Sequence, residues 1–361
     1  MKKLFPLSVL FFAVISLQAQ LNYLPQASQR AQVSQTIGIS TITIDYSRPK
    51  VNGRPVWGAL VPYGMVANNF GSAKMIPWRA GANENTTITF EAGVKVEGKA
   101  IAAGTYGLHM IPKGNGDFTI IFSRNSTSWG SYYYDADEDA LRVEVSSQEA
   151  PYHELLTYDF IEVESDKTTA ALFWEKKMIP FRIEVPVNEL VLERIEKDLR
   201  NQAGFNRVSW EQASAFALRA GKLPEAEKWI NAGRAGHFFS QKTYQNTSTL
   251  AAILKAKGDE QGYNDLLNEA ISIANTNELN QLGYQLLGQN NYAMAIKVFE
   301  ENVKRNPNDP NVYDSLGEGY KTAGNKEMAI KNLRKSLSLN PPPAIKANSE
   351  KLLKELGEKL N

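Results

Sequence analysis

The chain has 361 residues, with 40 Lys and Arg against 39 Asp and Glu, and no cysteine. This length exceeds one ordinary core, so we expect two domains that each bury an apolar interior. The near-neutral charge, without a basic block, argues against nucleic acid as a partner, because phosphate binding needs a concentrated positive surface. The lack of cysteine excludes a lipid-anchored lipoprotein, disulfide bonds and thiol catalysis.

The first twenty residues have the layout of a secretory signal peptide. Two lysines precede an apolar run from Leu4 to Leu17, and a short segment with the small residue Ala19 follows, as at a signal-peptide cleavage site. We therefore assign residues 1–19 to a signal peptide. This apolar run is too short to span a bilayer comfortably, and no later segment of the sequence is long and apolar enough for a membrane-spanning helix. The sequence predicts an exported, soluble protein, periplasmic or extracellular, that has no membrane span and is not a lipoprotein.

Between Val33 and Val187, apolar residues alternate with polar ones, which is the pattern of half-buried strands. The alternating runs are Thr41–Tyr46, Thr86–Phe90, Val94–Val96, Tyr106–Met110, Phe118–Phe122, Leu141–Val145 and Phe181–Val185. Turn residues such as Gly93 and Gly98 separate them. Many short strands at close spacing, without helical crossovers, predict an antiparallel β-sandwich over residues 20–187.

Several short blocks follow one another in the front half. They are Tyr46-Ser-Arg-Pro49, Gly53-Arg54, Val61-Pro-Tyr-Gly64, Trp78-Arg79 with Gly81-Ala-Asn83, Gly98-Lys99 and Ala103-Gly104-Thr105-Tyr106. In these blocks the sequence from about Ala27 to Val187 closely resembles the bacterial family known as domain of unknown function 2911. The resemblance implies an exported bacterial protein with a β-rich fold and no assigned activity. Two departures concern the site: Ala67 to Pro77 stands as an insertion, and Ala80 replaces a threonine that is common in the family.

After Pro186 the apolar period becomes that of helices, and an internal repeat appears. Matching residues stand 34 positions apart: Leu282-Gly283 and Leu316-Gly317, Ala295 and Ala329, Phe299 and Leu333, Pro307 and Pro341. This period, with a small residue where two helices touch and a proline after the second helix, resembles the tetratricopeptide repeat, or TPR. Because each helix pair leaves an apolar face that only its neighbour can cover, the pattern predicts a solenoid.

Two weaker copies precede these repeats, one from Trp210 to Ile230 and one from Leu250 to Ala270. We therefore predict a connecting helix in residues 188–208 and an all-α, TPR-like solenoid in residues 209–361, with four repeats and a closing helix. The whole chain is then a multidomain β plus α protein. The resemblance to TPR proteins implies that a protein or peptide docks at the concave face of the repeats.

Polar, charged and aromatic residues concentrate in the loops between Tyr46 and Phe90. The candidates for ligand binding are Arg48, Arg54, Trp57, Trp78, Arg79, Asn83, Glu84, His109 and Trp129. Guanidinium, carboxamide and indole groups suit a small carboxylate, held by the guanidinium fork, or a glycan stacked on an indole. The alternative is that these arginines and asparagines bond backbone carbonyls and hold the loops in shape.

The sequence contains no complete catalytic set. Gly93 to Ala100 has the spacing of a phosphate loop, but Ala100 lacks the hydroxyl that should meet magnesium, and strand-like residues on both sides favour a hairpin turn. The histidines at 109, 153 and 237 are not at metal-ligand spacing. We therefore predict neither a metal nor a cofactor.

These patterns favour an exported, non-enzymatic binding or scaffold protein. The alternative is a cell-envelope hydrolase acting on glycans or peptides, with Glu84 as acid, His109 as base and Arg79 as the anion-binding group. In a third interpretation the front domain is a structural spacer. That would be favoured if no concave pocket with convergent polar groups lay near Trp78.

Overall fold

The structure is a computed structural model that describes residues 25–359, and the chain divides into two compact units with the boundary between Val191 and Leu192. The predicted signal peptide lies outside the described residues. Strands build the first unit and helices the second, which confirms the predicted β plus α architecture. Within residues 25–359, no helix is both long and apolar enough to cross a membrane.

The front unit is an antiparallel β-sandwich. Its strands are β1 (Gln29–Ile37), β2 (Ser40–Arg48), β3 (Val66–Ala67), β4 (Met75–Ile76), β5 (Thr87–Phe90), β6 (Val94–Val96), β7 (Lys99–Ile101), β8 (Gly104–Pro112), β9 (Asp117–Ser123), β10 (Asp139–Ser146), β11 (Gln148–Ile161) and β12 (Lys167–Glu184). One sheet has the order β1-β2-β5-β8-β9-β10 and the other β11-β12-β6-β7, while β3 and β4 form a separate hairpin. All strand pairs are antiparallel.

Alternation along the strands decides which side chains enter the core between the sheets. In β8, Tyr106, Leu108 and Met110 belong to the core cluster, whereas His109 is buried on the opposite side of the strand. The core also contains the fully buried Trp174 of β12. The six-stranded sheet therefore buries residues on both faces, and His109 belongs to the face away from the main core.

The longest strands were only partly predicted. β11 was not among the alternating runs, and only the end of β12 was. The register of this pair shifts between Glu149 and His153 and again between His153 and Thr157. Because each extra residue moves the following side chains to the other face, the alternation is broken and the period-two signal is lost.

The second unit is helical. Its helices, with the connecting helix that precedes them, are α1 (Val187–Asp198), α2 (Arg207–Arg219), α3 (Leu223–Arg234), α4 (Tyr244–Ala256), α5 (Glu260–Ile273), α6 (Thr276–Gly288), α7 (Tyr292–Arg305), α8 (Pro310–Thr322), α9 (Lys326–Ser338) and α10 (Pro343–Glu355). Helices α2 to α9 form four antiparallel pairs, and α10 packs on the last pair. The helix predicted for 188–208 ends at Asp198, and a short 3-10 turn at Gln202–Phe205 precedes α2.

Helix starts repeat with the same period as the apolar residues. Asn275 caps α6 and Asp309 caps α8, while Asn291 caps α7 and Asn325 caps α9; in each case the side chain accepts a backbone N–H of the first turn. These pairs of caps are each 34 residues apart. The repeat therefore specifies where helices begin as well as which residues they bury.

The predicted repeat-packing residues lie where successive helices meet. Leu282, Ala295, Phe299, Leu316, Ala329 and Leu333 are buried, and Pro307 and Pro341 follow the ends of α7 and α9. A Cβ atom on Gly283 would lie 2.3 Å from the ring of Phe299, and one on Gly317 would lie 2.7 Å from Leu333. The glycines thus allow close helix contact.

Candidate functional site in the front unit

A cleft of about 430 Å³ opens in the front unit, between the chain that follows β2 and the loop that precedes β5. Its polar lining residues are Ser28, Lys50, Asn52, Arg54, Arg79 and Asn83. Its apolar lining includes Leu60, Val61, Trp78 and Trp174. This is a concave site with convergent polar groups next to Trp78, the feature whose absence would have favoured the spacer interpretation.

The charges that line the cleft are all positive. Lys50, Arg54 and Arg79 are the ionisable lining residues, and none of them has a carboxylate within 4.0 Å among residues 25–359. Glu154 lies outside the lining. Its pKa is lowered by the Tyr152 hydroxyl, then by the backbone N–H of Asn52, and further by the charges of Lys50 and Arg54.

Arg54 also holds the turn on which it stands. Its Nε donates to the carbonyl of Val51 at 3.0 Å, and one terminal nitrogen donates to the carbonyl of Lys50 at 2.6 Å. Asn52 and Gly53 adopt left-handed backbone conformations with φ of 49° and 66°. Arg54 thus holds the loop in shape, as the alternative to ligand binding predicts. Its other terminal nitrogen has no partner within residues 25–359.

Arg79 is fixed from three directions. It donates to the carbonyl of Asn83, its guanidinium carbon lies 5.0 Å from the centre of the Tyr132 ring, and its planar group packs on Gly130. Asn83 in turn donates from Nδ2 to the carbonyl of Ser28 at 2.8 Å. The loop that carries Arg79 and Asn83 is therefore rigidly held, as a pre-formed binding site requires.

The insertion at 67–77 stands behind Tyr132. The Nδ2 group of Asn68 donates to the carbonyl of Ala73 at 3.0 Å and also contacts the carbonyl of Tyr132. The ring of Phe70 meets that of Tyr132 edge-on at 5.3 Å. The insertion thus supports the aromatic ring on which Arg79 rests.

Trp78 and Trp174 line the apolar end of the cleft, and Trp57 packs against both. The rings of Trp78 and Trp174 are nearly parallel at 5.9 Å, and Trp57 meets both edge-on. Trp57 does not line the cleft, so its role is packing. The indole N–H groups of Trp57 and Trp174 have no hydrogen-bond partner in the described part of the chain.

The other candidates lie elsewhere. Arg48 donates to the carbonyl of Leu156 at 3.0 Å and to the hydroxyl of Thr157 at 2.6 Å, so it holds β11 in place. Glu84 lines a neighbouring depression together with Arg30 and Ser47. Trp129 is 53% exposed and lies outside the cleft lining.

His109 is buried, with 3% of its surface exposed. Its Nδ1 lies 3.0 Å from the hydroxyl of Ser131, and its ring meets that of Tyr134 edge-on. Burial, and secondarily the charge of Arg79, lowers the pKa of His109 to about 4, so the ring is neutral at pH 7. The proposed acid, base and anion-binding group of the hydrolase alternative thus do not share a cavity: Arg79 lines the cleft, Glu84 lines the depression and His109 lines neither.

Two important lining residues were not predicted. Lys50 lies between Arg48 and Arg54 in the stretch that the sequence singled out, so its position could have indicated a role. Trp174 lies on β12, far away in sequence, and reaches the cleft only through the packing of the two sheets. No local sequence pattern marks it.

The remaining motifs are structural. Gly93 to Ala100 contains the β6–β7 hairpin, whose turn at Glu97 and Gly98 has φ of 47° and 75°, and no helix follows it. Within residues 25–359, no three His, Asp or Glu side chains are grouped so that they could hold a metal ion.

Comparison with known proteins agrees with this division. Residues 28–183 match the family model described as Protein of unknown function (DUF2911), and residues 310–343 match that of the Tetratricopeptide repeat. No curated protein matches the sequence.

Solved structures similar to the chain are TPR proteins. YrrB, described as a TPR protein with an unusual peptide-binding site, is 18% identical, with 45% of this chain and 84% of YrrB covered and a TM-score of 0.29. The C-terminal part of a TPR repeat-containing protein from Cytophaga hutchinsonii is 18% identical over 45% of this chain and 62% of that one, with a TM-score of 0.33. MamA is 17% identical over 43% and 89%, with a TM-score of 0.30. The two family matches thus lie in the order of the two units: the DUF2911 match falls on the strands of the front unit, and the tetratricopeptide-repeat match falls on the helices of the second.

Proposed function

We propose that the protein is an exported, non-enzymatic binding protein. Its front domain captures a small polar ligand in the cleft, and its repeats dock a protein or peptide. The observation that carries the proposal is the make-up of the cleft, which combines cationic, carboxamide and indole groups without a lining Asp, Glu or His among the described residues. Export rests on the signal-peptide pattern of residues 1–19.

Binding fits the cleft better than hydrolysis does. General acid–base catalysis needs a proton donor and acceptor within hydrogen-bond reach of one bond. The ionisable lining residues are the cations Lys50, Arg54 and Arg79, and the neutral His109 is enclosed by Ser131 and Tyr134. The same lining can hold and orient a ligand, because its donors and its flat apolar wall converge on one space.

The repeats are a protein-interaction module, and α6 and α8 offer a surface for the partner. Tyr284 on α6 is 37% exposed, and its hydroxyl lies 2.9 Å from a carboxylate oxygen of Glu318 on α8. The contact links two successive repeats, so the exposed ring is fixed in place. A fixed aromatic ring beside a carboxylate suits a peptide that carries an apolar and a basic side chain.

The cleft is tested by filling it. Ala82 lines the cleft, and an Ala82→Phe substitution in residues 20–361 would place a ring inside it. The matched control is Ala100→Phe, at an exposed position of β7. We expect calorimetric binding of small carboxylates or sugars to be lost in Ala82→Phe and kept in the control. Unchanged binding in Ala82→Phe would reject the cleft as the ligand site.

The docking module is tested with Tyr284→Ala in the same chain. We expect proteins captured from an envelope extract to be lost from this variant, while Tyr292→Ala, a similarly exposed tyrosine on α7, retains them. Loss of circular dichroism from the helices would expose misfolding. Equal capture by both variants would reject the α6–α8 surface.

A further inference from the structure

We propose that the cleft is selective for anions, and that its ligand is a carboxylate carried on a flat or apolar body. This inference rests on the proposed function of the cleft and specifies its ligand. It decides between the two ligand classes that the sequence left open, a small carboxylate and a neutral glycan.

The first argument is the positive charge of the lining, since the nearby carboxylate of Glu154 lies outside the lining and its oxygens accept from Asn52 and Tyr152. Lys50, Arg54 and Arg79 line one cleft, and no carboxylate of residues 25–359 lies within ion-pair distance of any of them. The ammonium group of Lys50 also makes no hydrogen bond within that range. Like charges that share a cleft raise one another's energy, and a bound anion relieves this repulsion. A neutral ligand would leave it in place.

The second argument is the supply of backbone donors. Gly81 and Ala82 line the cleft, and the N–H groups of Gly81, Ala82 and Asn83 donate no hydrogen bond to any other residue between 25 and 359. Ala80, which precedes these residues, and Asn83, the last of them, adopt left-handed conformations, with φ of 50° and 58°. Successive N–H groups in such turns form concavities that bind anions.

The third argument is the lack of charged acceptors. A neutral sugar presents several hydroxyl groups, each of which must donate as well as accept. The charged groups of the lining, on Lys50, Arg54 and Arg79, can only donate, and no Asp or Glu among the described lining residues accepts; the side-chain acceptors there are neutral, such as the Oδ1 atoms of the asparagines. A carboxylate, which only accepts, matches this set of donors.

The size and the apolar wall indicate the rest of the ligand. A volume of about 430 Å³ is within the range of small-molecule sites and far exceeds one inorganic anion. The apolar wall is the partly buried Trp78, whose ring stacks on that of Trp174. Trp174 is 1% exposed, and its indole N–H has no partner in the described chain. An organic acid with a planar or apolar body would use both the wall and the donors.

Isothermal calorimetry on residues 20–361 tests the inference with two matched pairs of probes. N-acetyltryptophan and its amide differ only in the carboxylate and represent a peptide C-terminus. Glucuronic acid and glucose represent an acidic and a neutral sugar. We expect N-acetyltryptophan to bind about tenfold or more tighter than its amide, and the difference to shrink as sodium chloride is raised. A preference shown only by glucuronic acid would overturn the flat or apolar body. The pair that shows the difference identifies the source of the carboxylate.

Lys50→Gln separates a specific contact from general attraction. We expect it to weaken binding of the preferred acid about tenfold and to leave the neutral partner unaffected. Lys95→Gln is the control, because it removes the same charge from an exposed position of β6. Equal effects of the two substitutions, or no effect of Lys50→Gln, would overturn the inference.

The outcomes also separate the inference from the proposed function. If the neutral members bind as tightly as the acids, and Ala82→Phe abolishes that binding, the cleft is a ligand site without anion selectivity. In that case the inference fails and the proposed function stands. If none of the four probes binds at millimolar concentration, both are rejected.

Discussion

Arg79 reaches the cleft because Gly130 leaves room for its guanidinium group. A Cβ atom at position 130 would lie 2.3 Å from the guanidinium carbon, and the φ of 62° at this glycine is in the left-handed region. Tyr132 lies on the same loop and supports the cation from its ring face. One residue without a side chain thus sets the position of a binding group that is distant in sequence.

Gly130→Ala should therefore destabilise the protein and weaken binding in the cleft. The left-handed backbone costs about 1–2 kcal/mol for alanine, and the overlap with Arg79 adds about 1–3 kcal/mol. The control is Gly98→Ala, where φ is 75° but no atom lies within 4 Å of the new Cβ. Urea unfolding should show the larger loss for Gly130→Ala. Equal losses would mean that the Arg79 contact contributes nothing.

His109 gives the stability of the front unit a specific pH dependence. In the folded chain the pKa of His109 is about 4, below the ordinary 6.5. Between these two pH values the unfolded chain therefore binds a proton at His109 that the folded chain does not bind. The free energy of unfolding should accordingly fall as the pH drops from about 6.5 to about 4. By linkage, the protonation of His109 lowers the free energy of unfolding by about 3 kcal/mol over this range.

Replacing His109 with asparagine, which can still contact Ser131, should remove this part of the pH dependence. Ser131→Ala is the control: it keeps the imidazole, so it should keep the slope even though the protein is less stable. Urea unfolding between pH 7 and pH 4 measures both variants. An unchanged slope in His109→Asn would show that other groups cause the acid sensitivity.

Sequence reasoning located part of the cleft because that part is local in the chain. Arg54, Trp78, Arg79 and Asn83 line it, and all lie in the stretch that was singled out. Trp174 could not be found in this way, since its place depends on how one sheet packs on the other.

At the scale of elements, the helix pairs are specified more fully than the long strands. The N-caps, the small residues and the apolar positions of α6 to α9 all recur after 34 residues, so several independent signals agree. β11 contains Pro151 and two register shifts, so its side chains do not follow one alternation. The repeats could therefore be predicted with their period, whereas β11 required the structure.

The helix contact at Gly283 can be tested against another glycine of α6. Gly283→Ala places a methyl group 2.3 Å from the Phe299 ring, and overpacking of this kind costs about 1–3 kcal/mol. Gly288→Ala meets no atom within 4 Å, so it should gain up to about 1 kcal/mol from the better helix propensity of alanine. Thermal unfolding should thus shift in opposite directions for the two variants. A stabilised Gly283→Ala would show that α6 and α7 can move apart without cost.

At the scale of the whole molecule, the apolar cores are separate. The core of the sandwich contains residues between Ile37 and Val185, and the helical clusters contain residues from Ala213 onward. Fully buried members include Phe181 in the sandwich and Phe299 in the repeats. Each of the two units therefore has the apolar contacts that cooperative unfolding requires.

Removing one buried phenylalanine ring from each core should consequently destabilise a different unit of the chain. Phe181→Ala and Phe299→Ala should each cost about 3–5 kcal/mol, because each leaves a cavity in a closely packed core. Hydrogen exchange followed by mass spectrometry reports on both units in one sample. We expect Phe181→Ala to lower protection in β8 and β9 but not in α6 to α8, and Phe299→Ala to do the reverse. Loss of protection in both units from either substitution would show that the sandwich and the repeats unfold together, since a cavity in one core weakens the other only if their folding is coupled.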